Sequence, residues 1–297
     1  MTTLSTHDTK RSEDVRARLL CLTEVADEWG REVTGWRAQT AHRPAELDAN
    51  TEYLVWQTLV GAWPITAERL TAYLEKATRE AKRHTTWTEP DEAYDEAVRT
   101  FAEQVLADEA LTGRITAFVD RLAPLFRASV LGQKLVQLTM RGIPDVYQGC
   151  ELVDLSLVDP DNRRPVDYGA RVKRLEQLDG SAPNDLDDEK LLVVSRTLRL
   201  RREHPEWFGP DAAYEPLATS SDHAVAFSRG DAVVTVVTRL AAALERSGGW
   251  GDATVTLPGG GWRDVLTGAS HRGGEVSLAR LLDRLPVCLL VADRRDS

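Results

Sequence analysis

RGIPDVYQGCELVDLSLVDPDNRRPVDY, residues 141–168, decides the fold, because the chain before it reads as helix and the chain after it turns toward strand. Gly142 and Pro144 interrupt helical propagation. Between Gly142 and Gly149, Ile143, Val146 and Tyr147 form an apolar run too brief for a helix, so the pattern predicts a short buried strand. A polar loop follows, carrying Glu151, Asp154, Asp159, Asp161, Arg163, Arg164 and Asp167 in one irregular, proline-containing segment. A solvated surface loop has the same composition, and loops are also where binding and catalytic groups gather.

Toward the N-terminus, residues 115–140 place Phe118, Leu122, Leu125, Phe126, Val130, Leu131, Leu135 and Leu138 at helical spacing, with a break predicted at Pro124. Further back, Tyr53, Leu54, Trp56, Leu59 and Val60 form one apolar stripe, whose helix ends near Ala62 ahead of Pro64. Thr66 caps a helix over residues 67–83, and residues 91–107 make another. His84, Thr85, Thr86 and Trp87 connect those two, as a packed loop or as one that touches a ligand. Ser12, with Glu13 and Asp14 in the first turn, opens a helix whose stripe is Val15, Leu19, Leu20 and Leu22. His7 and Asp8 stand just before it, where a polar lead-in to the helix and a functional pair look alike. A helix feeding a short strand with Gly-x-Pro at its entrance is the repeating unit of a parallel α/β barrel, which builds its sites at the carboxyl ends of its strands.

Toward the C-terminus, residues 168–178 and 187–202 read as helices, the second ended by Pro205. From about Tyr214 the pattern becomes short β-rich runs at residues 224–227, 233–237, 254–257, 262–266 and 287–291. Gly230, Gly248–Gly249, Gly259–Gly261 and Gly273–Gly274 supply turns for a small β-sandwich. The domain reading is therefore α/β over residues 1–205 and β over residues 206–297. The glycine run at 259–261 lacks the Lys-Ser/Thr of a phosphate loop.

A formal charge of −10, from 47 acidic against 37 basic residues, disfavours nucleic acid and anionic membrane surfaces as partners. No apolar run reaches the roughly 18 residues of a membrane span. Cys21, Cys150 and Cys288 lie far apart and the six histidines are scattered, which gives neither a zinc site nor a disulfide framework, and no cofactor is implied. Free thiols suit a reducing cytoplasm. Asp159, Asp161 and Asn162 lack the Gly and the twelfth-position Glu of a calcium loop, so no metal is assigned. Most of the eight tryptophans read as core.

Gly142-Ile143-Pro144 through Gly149-Cys150-Glu151 resembles a signature of the α-amylase superfamily of glycoside hydrolases, and His7-Asp8 resembles a second, found after the seventh barrel strand. Longer stretches, among them STHDTKRSEDVRARL, YLVWQTLVGAWP, AKRHTTWTEP and LRLRREHPEWF, are similar to the glucosylmutase branch of that superfamily. The resemblance implies the C-terminal part of an α-amylase-type (β/α)8 barrel with a large helical insertion, then the β domain. It implies an enzyme of trehalose biosynthesis that converts the reducing-end α-1,4 linkage of a malto-oligosaccharide to an α,α-1,1 linkage by intramolecular transfer. Asp8 would then be the catalytic carboxylate that stabilises the transition state, with His7, Lys10, Asp161 and Arg164 binding sugar. The superfamily's nucleophile and acid/base have no matching segment here. The resemblance therefore also implies that an N-terminal half of the barrel is missing as a partner and that the piece alone is inactive. A non-catalytic glucan-binding or structural module, stacking sugar on Trp207, Trp250 and Trp262, is the competing reading.

Overall fold

The computed structural model describes residues 1–293. Contacts group them into two compact units, one of residues 7–123 and 155–164, the other of residues 1–6, 124–154 and 165 onward.

The first of these units is helical. α1 (Glu13–Cys21), α2 (Ala26–Gln39), α3 (Ala49–Ala62), α4 (Ala67–Ala81) and α5 (Glu92–Ala107) precede the long α6 (Glu109–Thr139), which begins in this unit. Side chains stop the orphan N–H groups at their ends: Asp48 accepts from Asn50 and Thr51, Thr66 from Arg69, and Asp91 from Tyr94. Ser12 stands at the N-cap of α1, but its side chain makes no capping bond; its backbone N–H donates to Ser156 O at 2.9 Å. The core is aromatic. Trp36 lies 5.6 Å from both Trp29 and Trp56 and meets Phe118 edge-on at 5.8 Å, with Phe101 edge-on to Trp56 at 5.5 Å. α6 runs through Pro124 instead of breaking there. A proline forfeits one hydrogen bond and crowds the preceding turn, which this 31-residue helix tolerates, although the division between units falls at that residue.

In the second unit, β1 (Thr2–Thr3) pairs in parallel with β2 (Pro144–Asp145), Thr2 opposite Pro144. Gln137 of α6 clamps both strands, its Nε2 donating to Asp145 O at 2.7 Å and Thr2 O at 3.3 Å. The buried strand expected over Ile143–Tyr147 is corrected here: regular strand covers only two residues, and Ile143 is 72% exposed. Among the described residues β1 is the one strand paired with β2. α7 (Tyr168–Leu178) and α8 (Leu186–Glu203) follow. Buried Lys190 of α8 donates to Leu152 O at 2.9 Å, and Asp187 accepts from Val153 N at 2.9 Å, fixing the segment after β2.

The remaining strands are β3 (Tyr214–Pro216), β4 (Ala224–Arg229), β5 (Val233–Thr238), β6 (Thr254–Asp264), β7 (Ser270–Ser277) and β8 (Val287–Ala292), with short helices α9 (Ala241–Arg246) and α10 (Leu278–Leu281) between them. They form one antiparallel sheet in the order β3-β4-β5-β8-β6-β7, and not the two facing sheets of the expected sandwich. The sheet curls until its far side returns on itself, Ser220 N donating to Thr254 O and Thr256 N to Ala218 O. Val234, Val236, Val255, Leu257, Trp262 and Leu290 are buried in one core of this sheet, while Val233, Val237, Val287 and Leu289 pack with residues of α6 and α8 in another. Two expected strands fuse into β6 across an irregularity between Leu257 and Gly261. Gly273 lies inside β7 and is no corner; a Cβ there would collide with the Pro258 carbonyl.

Trp207 and Trp262 are 4% and 1% exposed, which removes them as stacking platforms for an external sugar, and Trp250 is partly buried against the core. Cys21, Cys150 and Cys288 are free and buried. Among the described residues no helix is long and apolar enough to cross a membrane.

Candidate active site

Residues 7–12 and 156–162 run side by side in the helical unit. Arg11 bridges Leu157 antiparallel, and the His7 carbonyl accepts from Asn162 Nδ2 at 2.9 Å and from Asp159 N at 3.4 Å. Buried Leu157, Val158 and Asn162 anchor the second strip. The backbone of His7 is thus fixed while the side chains of His7 and Asp8 stay 50% and 80% exposed, with Nε2 and Oδ2 3.2 Å apart. Arg11 secures the strip to α3, reaching Gln57 Oε1 at 3.3 Å and Thr58 Oγ1 at 3.2 Å.

α4 supplies the opposing wall. Arg69, Tyr73, Lys76 and Glu80 recur at helical spacing and share one face. Arg69 grips Asp161 with two parallel bonds of 2.8 Å, and its Nη2 also donates to Leu155 O at 2.9 Å. Asp161 Oδ2 additionally accepts from Leu157 N at 2.7 Å. Burial pushes this carboxyl up, but the bonds from Arg69 and Leu157 outweigh it and hold Asp161 below the usual carboxylate range. Arg164 lies across Asp161, its Nε 3.2 Å from Oδ1, and its Nη2 reaches Ser156 Oγ at 3.2 Å. Lys76 Nζ donates to Asp159 O at 2.6 Å. Lys10 Nζ meets Glu80 Oε2 at 2.9 Å, and this hydrogen bond holds the ammonium above its ordinary value.

Between these walls lies a cavity of about 440 Å³, lined by Arg69, Tyr73 and Lys76 of α4 and by Val158, Asp159, Pro160, Asp161 and Arg164. His7, Asp8, Lys10, Asp161 and Arg164 all fall in this unit, and of the five Asp161 and Arg164 line the cavity, while His7, Asp8 and Lys10 are not among its lining residues. Asp161 turns toward Arg69, with 13% of its side chain exposed. Arg69, Lys76 and Glu80 escape the sequence reading, although a charged stripe at i, i+7 and i+11 beside the buried Leu70, Tyr73 and Leu74 is a readable signal. Glu151 of the Gly-x-Glu motif belongs to the other unit, paired with Arg171 of α7 at 3.2 Å. Chemically the cluster offers one exposed carboxylate beside an imidazole, with guanidinium and ammonium donors nearby. Asp159 pairs with Arg163, Asp161 with Arg69 and Glu80 with Lys10. Such a set can grip hydroxyl groups and face a developing positive charge. Among the described residues no group of three or more His, Cys, Asp or Glu is placed to hold a metal ion.

A helical region and a curled antiparallel sheet recur in solved maltooligosyltrehalose synthases. The solved maltooligosyltrehalose synthase of Arthrobacter ramosus superposes with a TM-score of 0.89 at 41% identity, over 98% of this chain and 38% of that one. A hypothetical maltooligosyl trehalose synthase of Sulfolobus tokodaii gives 0.78 at 29% identity, over 97% of this chain and 38% of that one. In sequence, a protein of Mycobacterium tuberculosis named as a maltooligosyl trehalose synthase is 43% identical over 303 residues, 99% of this chain and 38% of the relative. The chain is homologous to maltooligosyl trehalose synthase, matching a C-terminal portion of it and spanning about 38% of the length of these relatives. No family model matches.

Proposed function

We propose that the chain supplies the sugar-gripping part of a glucosylmutase active site, acting with a barrel portion that carries the nucleophile and the acid/base. In this reading residues 1–205 contribute barrel and helical insertion, and residues 206–297 the β domain. The substrate is a malto-oligosaccharide, and its reducing-end α-1,4 linkage becomes α,α-1,1 by transfer within the site. Retaining enzymes of this kind place two carboxyl groups about 5 Å apart around an oxocarbenium-like transition state. Asp8 is the third carboxylate, hydrogen-bonding sugar hydroxyls so that contact tightens as the ring flattens. His7 holds the same ring. Lys10 and Arg164 bind hydroxyls of the glucose that turns over, and Asp161 contributes by positioning Arg164 and Arg69. The released glucose has to stay in place while water is excluded, which a walled cavity favours. Free buried thiols fit work in the cytoplasm.

The observation that carries this reading is the His7–Asp8 pair, exposed at its side chains and anchored through its backbone. The chain alone is expected to leave maltopentaose unchanged. Combined with a matching nucleophile-bearing portion, it should remove reducing ends and yield trehalose-ended product. Asp8→Asn in that pair should lower turnover at least about 100-fold, in line with several kcal/mol of transition-state stabilisation. Full activity of the Asp8→Asn pair would take Asp8 out of the mechanism.

A further inference from the structure

Trp87 breaks the pattern of its kind. Trp29, Trp36, Trp56, Trp207 and Trp262 are all buried, whereas Trp87 is 55% exposed. Its loop, residues 82–91, is nonetheless pinned. Thr86 N donates to Glu89 O at 3.2 Å, Glu89 N to Thr86 Oγ1 at 2.8 Å, and Asp91 N to Thr85 Oγ1 at 3.1 Å, with Thr85 itself buried. The Arg79 guanidinium lies 4.9 Å from the centroid of the indole and backs it, and Arg79 is fixed by Asp95 at 2.8 Å and Glu75 at 2.7 Å. An indole held this way presents its ring to solvent with little conformational entropy left to lose on contact.

Arg79 also lines a groove of about 470 Å³ between α4 and α5, with Thr71, Glu75, Asp95 and Arg99. Inside the groove Glu75 and Asp95 pair with Arg79 and Glu96 with Arg99, and Glu68 and Glu92 line it as well. An anion would meet a surplus of carboxylates. A neutral ligand rich in vicinal hydroxyls meets planar donors and acceptors already oriented, beside an aromatic face for its C–H groups. We propose that the α4–α5 hairpin carries a second carbohydrate-binding surface, in which Trp87 stacks a glucose unit of a malto-oligosaccharide and the Arg79 groove receives its hydroxyls. The choice of glucan as the sugar rests on the function proposed above.

The test is a titration of the full chain, with tryptophan labelled at the indole nitrogen, by maltoheptaose. The Trp87 resonance is assigned by its absence in Trp87→Phe. It is expected to shift saturably, and to shift alike in Asp8→Asn, because the groove does not use Asp8. Trp87→Ala, a surface change that leaves the core intact, should raise the Kd for maltoheptaose read by isothermal titration calorimetry by roughly 2- to 10-fold. A Trp87 signal unmoved by maltoheptaose, or moved by an oligolysine peptide and not by the glucan, would overturn the proposal. The role of Asp8 fails or stands separately, on product formation in the combined enzyme.

Discussion

Asp48 does more than cap a helix. Its Oδ1 accepts from Asn50 N at 3.0 Å and Thr51 N at 3.3 Å, and its Oδ2 accepts from Tyr94 OH at 2.7 Å, while Tyr94 OH also meets Thr51 Oγ1 at 2.7 Å. Burial alone would raise this carboxyl, but the bonds from Tyr94 and Thr51 overcome it and bring Asp48 down to about 2, while burial lifts Tyr94 to about 12. A depressed carboxyl stabilises the fold fully above its unfolded value of roughly 4 and loses that contribution as pH falls through about 2. Asp48→Asn keeps a capping oxygen and removes the charge. It should lower the unfolding free energy near neutral pH by about 1–2 kcal/mol, a figure already reduced for the partial exposure of the side chain. Urea denaturation at several pH values should show the gap between wild type and variant closing between pH of about 4 and 2; a constant gap would mean the charge contributes nothing. At this scale the sequence exposes motif residues better than their supports. His7 and Asp8 stand out because adjacent polar side chains open a helix. Arg69 and Lys76 do not, since a charged helical residue facing a loop 80 or more positions away looks like one facing water.

α4 serves three surroundings with three faces. Leu70, Leu74 and Thr78 are buried, Arg69, Tyr73 and Lys76 line the cavity, and Glu75 and Arg79 line the groove toward α5. The pair Arg69–Asp161, with 19% and 13% of the side chains exposed, ties this helix to the strip after Leu155 together with Lys76, which donates to Asp159 O. Removing Asp161 takes from Arg69 its counter-charge, and removing Arg69 leaves the largely buried Asp161 with Arg164 alone as counter-charge. Arg69→Ala and Asp161→Ala should each cost about 2–4 kcal/mol, and the double variant clearly less than their sum, as a denaturation cycle will report. Additive losses would mean the two groups act independently. Elements themselves were legible where one periodicity held throughout, as in α7, which spans the expected residues 168–178. They were misread where a local signal met a tertiary one. Pro124 argues for a break that helix packing overrides, and the glycines near 260 and 273 argue for corners. They serve instead the irregularity of β6 and a close approach between β6 and β7, which depends on partners far along the chain.

For the molecule as a whole, the telling feature is the two-stranded sheet of β1 and β2. Gln137 holds it from one side, yet each strand has a single partner among the described residues, and Ile143 beside it is 72% exposed. Two short strands form a marginal sheet, and open edges beside an apolar side chain are templates for further pairing. In the function proposed above, the strands that flank β1 and β2 come from the rest of the barrel, and the same surface in the separate chain invites self-association. Ile143→Glu should therefore reduce concentration-dependent light scattering by the chain alone. Its unfolding free energy should stay within roughly 0.5 kcal/mol of wild type, because an exposed residue loses little by the change. The same substitution should lower the yield of trehalose-ended product when the chain is combined with its nucleophile-bearing portion, since a charge at a strand edge opposes burial there. Unchanged scattering with unchanged product would place the completing contacts elsewhere, and the open edge of β1 and β2 would then be an ordinary solvated edge.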